Sequence, residues 1–370
     1  MKYLLFIVRW FVGLLFIFSG LIKANDPLGL SYKMQEFFEA WSLPAFFNEF
    51  TLPMAVLMNA FEIIAGVALI VGWRIRLFIR LLLLLIVFFT FLTAYATYAT
   101  NPDGSLKFRS CGCFGDCLPL DPKQSFWKDI ILLVLSLVLF VFRSRIQPLF
   151  LSSKTNAAVV LISGLLALAV QWYVLRYLPL VDCLPYKKGN ALLPLRQLPP
   201  DAIPDEFNIR FIYSKNGLQQ EFPMTALPDS TWTFVDRKQV LVKKGKNNEP
   251  KIKDFILTDS SGNDVTESVL QTKGNYFLLF LLDVKGLDVD AQWISKLSQL
   301  KAAHTVHVVT AVPDEAKELF NSIPALRGIS ILGCDGTAIK TAARTVPTLF
   351  KMEQDRVVHK WSGASSNKWQ

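Results

Sequence analysis

Apolar residues are spread unevenly along the chain. Five runs of roughly 20, at 3–22, 52–71, 77–100, 126–142 and 157–178, carry few charges. Each is long enough to cross the ~30 Å hydrocarbon core of a bilayer as a helix. The first run follows Lys2 as a signal peptide would, but it is long and lacks a small-x-small cleavage site, so it reads as a retained helix. Phe126-Trp127 opens the fourth run as an interfacial anchor. The pattern then changes. Residues 179–204 form a linker rich in Pro and Leu, and from about Phe207 the chain is polar and globular. The stretch 208–283 reads as mostly strand, with turns at 214–217, 228–230 and 260–263. Residues 276–282 predict a buried strand, 291–303 a helix, 306–312 a strand, 313–323 a helix and 329–332 a strand. A short helix near 337–343 and a hairpin, 349–352 with 357–361, complete the series. Alternating strands and helices imply an α/β layer fold. The expected organisation is a four-helix membrane unit at 1–150, a fifth transmembrane helix and linker at 151–186, a mainly β segment at 187–271, and an α/β domain at 272–370.

Composition agrees. The 370 residues are 52% hydrophobic and include 29 Phe. Mean hydropathy is +0.35, which an ordinary soluble enzyme rarely reaches. The net charge of +9 does not point to nucleic acid, because many of the positive charges sit in short loops between apolar runs. Lys2, Arg74, Arg76, Arg80, Arg143, Arg145 and Lys154 fall on one side. The first loop opposite carries Asp26, Glu36, Glu39 and Glu49 against Lys23 and Lys33. By the positive-inside rule the N-terminus is cytoplasmic, and everything after Leu178 is extracytoplasmic. In a bacterium this is a multi-pass protein of the inner membrane. Its partners are then membrane lipid and an extracytoplasmic protein, and the outer compartment permits disulfides.

The strongest local signal is Cys111-Gly-Cys113-Phe-Gly-Asp-Cys117, on the outer side before the fourth run. Thiol exchange needs an accessible thiolate and a second sulfur close by to resolve the mixed disulfide. Gly112 and Gly115 give the loop freedom for such approach. Three readings stay open: redox exchange by these cysteines, a static disulfide, or soft-metal binding, although no histidine lies nearby. A Cys113–Cys117 bridge is easier to close than a Cys-x-Cys ring. Cys183 follows the fifth run on the same side, either as a fourth partner or as a free thiol. Cys334 follows a predicted strand and is expected to be a half-buried core residue.

Polar groups inside the apolar runs come next. Arg9, Gly13, Gly20 and Lys23 share a narrow arc of the first helix, and Asn59, Glu62 and Gly66 share a face of the second. A charge as deep as Glu62 is costly in lipid, so it should face the bundle and find a partner, as structural glue or as a proton relay. Thr90, Thr93, Tyr95, Thr97 and Tyr98 could wall a pocket beneath the cysteine loop, with Asp129 facing it as a proton acceptor.

Arg9 with Gly13, Ser19-Gly20 with Lys23, Glu62 with Gly66, and the Cys111–Gly115 stretch occur in an order that resembles the DoxX-like family. More narrowly, it is similar to the branch related to the methylamine-utilisation membrane protein MauE. The resemblance covers roughly residues 1–150. It implies a four-helix membrane unit tied to thiol redox handling or to maturation of partner proteins. Cys117 lies outside the family's core motif. The order of elements over 272–360 resembles a thioredoxin-like domain, and Thr345-Val346-Pro347-Thr348 stands where that fold carries its cis-proline. The redox pair of such a domain belongs at about 283–288, where this chain has no cysteine. The expected fold is thus a membrane α-helical bundle followed by an α/β thioredoxin-like soluble domain. The expected function is thiol–disulfide exchange by Cys111, Cys113 and Cys117, with a quinone as an electron carrier by analogy to other four-helix membrane enzymes. The rival reading is a non-enzymatic membrane scaffold with a fixed disulfide and a partner-binding domain. A third is a small-molecule or metal handler built on Glu62.

Overall fold

The computed structural model describes residues 2–369, apart from 102–104, 109–110, 244, 285–286 and 288–290. Its first half is helical: α1 (Lys2–Asn25), α2 (Pro27–Ala40), α3 (Thr51–Val71), α4 (Ile75–Tyr98), α5 (Pro122–Val141) and α6 (Ser153–Arg176). All but α2 are long and apolar enough to cross a membrane, α3 together with the 3-10 turn Ala45–Phe50 before it. The five predicted spans therefore stand, with shifted ends. Pro122 starts α5 earlier than the apolar run suggested, following Asp121 at the N-cap. Ser152 starts α6 earlier too, its side chain accepting from the Thr155 amide. Both first turns are polar and escape a hydropathy reading.

The bundle is built on the α1–α3 contact. A methyl group on Gly66 would lie 2.6 Å from the carbonyl oxygen of Gly13, and one on Gly20 would lie 2.7 Å from Ile63. Side chains of one atom or none let the two backbones touch. Arg9 anchors the far end of the same contact. Its guanidinium donates to the carbonyls of Leu69 (2.7 Å), Gln147 (2.8 Å) and Ile70. It thus supplies donors and positive charge to the C-terminus of α3, which Gly72 closes in the left-handed conformation. α6 is tied on through Asn59, which donates to Gln171 at 3.1 Å, and Gln171 donates in turn to the Val56 carbonyl.

Helix α2 was not foreseen, since residues 27–40 were read as a charged loop. Asp26 caps it by accepting from the Gly29 amide, and Pro27 fits its first turn. Ser31 and Gln35 hydrogen-bond Thr51 at the start of α3. Phe37 packs among Trp41, Tyr95 and Phe108, its ring stacked on Phe108 at 4.4 Å between centroids. The helix thereby roofs the C-terminal end of α4.

A short turn of helix, α7 (Leu192–Leu195), follows the linker. Strands β1 (Glu206–Lys215), β2 (Leu218–Pro223) and β3 (Thr233–Lys243) form an antiparallel sheet in the order β2-β1-β3. Asn216 and Gly217, both at positive φ, make the tight turn between β1 and β2. Strand structure then stops, contrary to the reading of 208–283 as mostly strand. Residues 245–265 are largely irregular and lead to α8 (Thr266–Leu270). Ile252, Phe255 and Leu257 are spaced to plug a core rather than to pair in a ladder.

The remaining elements are β4 (Asn275–Leu281), α9 (Ala291–Ala303), β5 (Thr305–Thr310), α10 (Pro313–Ser322), β6 (Ser330–Gly333), α11 (Gly336–Ala342), β7 (Thr348–Glu353) and β8 (Arg356–Ser362). They form a five-stranded sheet in the order β6-β5-β4-β7-β8. β4, β5 and β6 run parallel, and β7 and β8 are antiparallel additions. β4 is buried on both faces, as its unbroken apolar run requires. Phe277 and Leu279 face α9 and α10, while Tyr276, Leu278 and Phe280 face α11. That second face is also covered by Tyr186, Leu192, Phe255 and Leu270, from chain ahead of residue 272. The peptide bond Val346–Pro347 is cis.

Candidate functional site

The loop between α4 and α5 carries the sulfur chemistry. Cys111 and Cys113 are free, and Cys117 is bridged to Cys183. The easier Cys113–Cys117 closure is not the pairing adopted. The reason lies in the segment after α6. Asn25, at the end of α1, donates to the Val181 carbonyl (2.9 Å) and accepts from the Val181 amide (3.0 Å), which draws Cys183 over the end of the bundle that carries the cysteine loop. With Cys117 bridged, the three-thiolate metal site considered from the sequence loses a ligand. Among the described residues no group of three His, Cys, Asp or Glu side chains is arranged to hold a metal ion.

Cys113 is pinned to α1, where the Ser19 hydroxyl donates to its carbonyl at 3.2 Å. Gly112 and Gly115 both take positive φ, and the Gly115 amide closes the turn on the Gly112 carbonyl. Phe114 is buried against Phe18, with the Lys128 ammonium 5.0 Å from its ring centroid. The two free thiols open onto a narrow apolar cavity of about 90 Å³. Leu30, Met34 and Phe37 of α2, Trp41 at its C-cap, Met54 and Met58 of α3, and Phe88, Phe89 and Leu92 of α4 wall it. The polar atoms at its rim come from Ser19, Lys23, Lys33, Thr93 and Lys128. Flexible thioethers and aromatic rings suit a flat apolar ligand.

Each ammonium at this cavity has a carboxylate partner. Lys23 is paired with Glu62 inside the bundle, both nearly or wholly out of contact with solvent. Oε2 of Glu62 has no hydrogen-bond partner among the described residues. Lys33 pairs with Glu36 at 2.5 Å, and Lys128 with Asp129 at 2.7 Å. Asp129, fully buried, also accepts from the Thr93 hydroxyl at 3.1 Å. Of the five polar residues expected to wall the pocket from the third span, only Thr93 lines it. Thr90 and Thr97 bond their own helix backbone, Tyr95 joins the Phe37 cluster, and Tyr98 points outward.

Burial pushes the Cys111 thiol up to about 12, with the neighbouring Cys113 adding to the shift. Burial raises Cys113 as well, and Asp129 works in the same direction, whereas Lys128 and Lys23 oppose it. Ser125, fully buried on α5, works against the rise at both thiols. Both groups are therefore protonated thiols at neutral pH, with a carboxylate nearby to take a proton. Cys334 lies elsewhere, packed on the core of the five-stranded sheet.

On its other side the loop faces a polar cleft of about 640 Å³ between bundle and soluble domain, lined in part by Cys183, Asp116, Lys33, Lys340 and Arg344. Lys33 borders both spaces. Arg344 reaches Asp26 (2.8 Å) and Asp116 (2.6 Å), and Lys360 reaches Asp182 at 2.8 Å. Sequence reasoning missed these contacts and the α2 wall. The wall left a signal in the helical spacing of Leu30, Met34, Phe37 and Trp41, whereas the ion pairs left none.

Residues 1–142 match the family described as methylamine utilisation protein MauE. Residues 207–244, which include most of the three-stranded sheet, match a domain of unknown function (DUF8463). The chain is similar to "Protein TlpB" of Flavobacterium psychrophilum, 29% identical over 158 residues, or 42% of this chain and 39% of that protein. The match thus spans about two fifths of that relative's length. No solved structure matches the chain.

Proposed function

We propose that this multi-pass membrane chain, whose first 142 residues match the MauE family, carries out thiol–disulfide exchange on the extracytoplasmic face. In this reading electrons pass from partner thiols to a lipid-soluble acceptor. One observation carries it. The cysteine loop holds a disulfide, Cys117–Cys183, beside a polar cleft and two free thiols, Cys111 and Cys113, beside an apolar cavity. Two sulfur couples on opposite sides of one loop suit a relay between a soluble partner and a membrane-phase one.

The steps balance as follows. Two partner thiols reduce Cys117–Cys183 and leave as a disulfide. The resulting Cys117 and Cys183 thiols reduce a Cys111–Cys113 disulfide, which restores the first bridge. The Cys111 and Cys113 thiols then lose two electrons and two protons as their own bridge reforms. A quinone in the apolar cavity would supply the two-electron acceptor. The Met and aromatic side chains of α2, α3 and α4 suit its ring, and the paired ammonium groups of Lys23, Lys33 and Lys128 suit its carbonyl oxygens. Asp129 accepts the first thiol proton. Arg74, Arg76, Arg80, Arg143, Arg145 and Lys154 favour a cytoplasmic N-terminus, with the cysteine loop and soluble domain outside. The DoxX-like resemblance accords with this arrangement.

The C-terminal sheet domain is thioredoxin-like in this reading. Two parallel strands joined through a helix, then an antiparallel hairpin, support the comparison. Lacking a cysteine pair at 283–288, it docks rather than cycles. The test is a set of single Cys→Ser variants in which the oxidation state of Cys117 and Cys183 is read by differential alkylation. Cys111→Ser or Cys113→Ser is expected to stall the relay after the partner has left as its disulfide, so that Cys117 and Cys183 accumulate as thiols instead of returning to the bridge. If neither variant changes the oxidation state of Cys117 and Cys183, the scaffold reading with a fixed bridge replaces this one.

A further inference from the structure

Both cysteines of the bridge follow an aspartate: Asp116-Cys117 and Asp182-Cys183. Both aspartates are held by cations of the soluble domain. Arg344, just ahead of β7, donates through Nη2 to Asp116, and Lys360 of β8 donates to Asp182. The two cationic side chains are only 6% and 8% exposed, so each is committed to this contact. Arg344 also donates to Asp26 and stands over the Tyr32 ring, and Lys360 stands over the Phe350 ring. Two buried cations thus meet three carboxylates around one disulfide, and Cys183 lines the polar cleft there.

The chemistry of exchange gives this arrangement a consequence. The attacking group is a thiolate and the departing sulfur leaves as one, so negative charge builds at the bridge. Unpaired carboxylates one residue from each sulfur would repel the attacker and disfavour the leaving group. We propose that Arg344 and Lys360 are positioning residues for exchange at Cys117–Cys183, neutralising the carboxylates at both ends of the bridge and holding its Cys183 end at the wall of the cleft where an incoming thiolate attacks. This rests on the thiol-exchange reading above. The incoming thiolate bonds to Cys183 Sγ, the Cys117–Cys183 bond breaks, and Cys117 leaves as a thiolate beside the Asp116–Arg344 pair. A second thiolate then attacks the mixed disulfide, releasing Cys183 as a thiolate and the two attackers as their own disulfide. Water reprotonates both cysteines.

The test uses the full chain in lipid nanodiscs and two probe thiols, anionic glutathione and cationic cysteamine. Bridge reduction is followed by alkylation and peptide mapping of Cys117 and Cys183. Arg344→Gln and Lys360→Gln are each expected to slow the glutathione reaction roughly tenfold, with a much smaller effect on cysteamine, and the gap is expected to narrow as salt rises. Lys360→Arg is expected to restore the glutathione rate. Asp116→Asn, which leaves Arg344 its Asp26 partner, is expected to speed glutathione and so reads the same electrostatics without removing a buried cation. Equal effects on both thiols, or none, in the Gln variants and in Asp116→Asn would overturn the positioning role while leaving exchange intact. A wild-type bridge that neither thiol reduces would overturn the exchange reading itself, and this role with it.

Discussion

Cys111 keeps its proton at neutral pH because burial and the adjacent Cys113 push its pKa to about 12. Rising pH converts it to the thiolate, so its alkylation by a maleimide is expected to climb about tenfold per pH unit from 7 to 10 without levelling off. Site-resolved mass spectrometry checks this, and a plateau near pH 9 would mark an ordinary exposed thiol. Some individual side chains were legible beforehand. Glu62 had to lie inside the bundle because lipid will not hold a bare carboxylate, and it is fully buried against Lys23. Lys23 had been placed on one narrow arc of α1 with Arg9, Gly13 and Gly20, but nothing in the sequence joins two positions 39 apart into a pair. The choice of Cys183 as partner for Cys117 was equally out of reach. It depends on Asn25 gripping the Val181 backbone, 156 residues away. Nothing in the sequence singles out Arg344 or Lys360, since their partners lie in the other half of the chain.

The five membrane helices were readable because a bilayer demands some twenty apolar residues in a row, a condition few other structures share. α2 satisfies no such condition. Its apolar stripe is only one helical face wide, interrupted by Lys33, Glu36 and Glu39, and it is stabilised by tertiary contacts with α3 and α4. The strands of the five-stranded sheet were legible for the same reason as the spans, since β4 is an apolar run bounded by polar turns. The irregular stretch 245–265 was not, because its buried residues plug a core instead of pairing. The glycines on α1 and α3 signalled close helix contact, and that contact has a measurable strength. Gly66→Leu would drive a side chain into the Gly13 carbonyl and Ile17, where the clash is with backbone and cannot be relieved by a rotamer change. Overpacking of this kind costs about 1–3 kcal/mol. Thermal unfolding of the detergent-solubilised variant is expected to show a lower midpoint, while enlarging an exposed side chain of the same helix, Leu57→Phe, leaves it nearly unchanged.

Bundle and soluble domain meet around the bridge, through Arg344, Lys360 and the Cys117–Cys183 link itself. Two-part organisation was plain from the change in composition near residue 180. The way the parts meet was not, because it is set by a few ion pairs and one disulfide that have no pattern of their own. In the proposed relay the assembly puts an aqueous cleft and an apolar cavity on opposite sides of one loop, and electrons cross between them. The most direct measurement is the oxidation state of Cys111 and Cys113 in intact cells, trapped by acid quench and differential alkylation, with and without an inhibitor of respiration. The pair is expected to be largely oxidised in respiring cells and to accumulate as thiols once the inhibitor is added, with Cys117 and Cys183 following. Cysteines that hold the same state under both conditions would contradict the relay and leave the bridge as a fixed structural link.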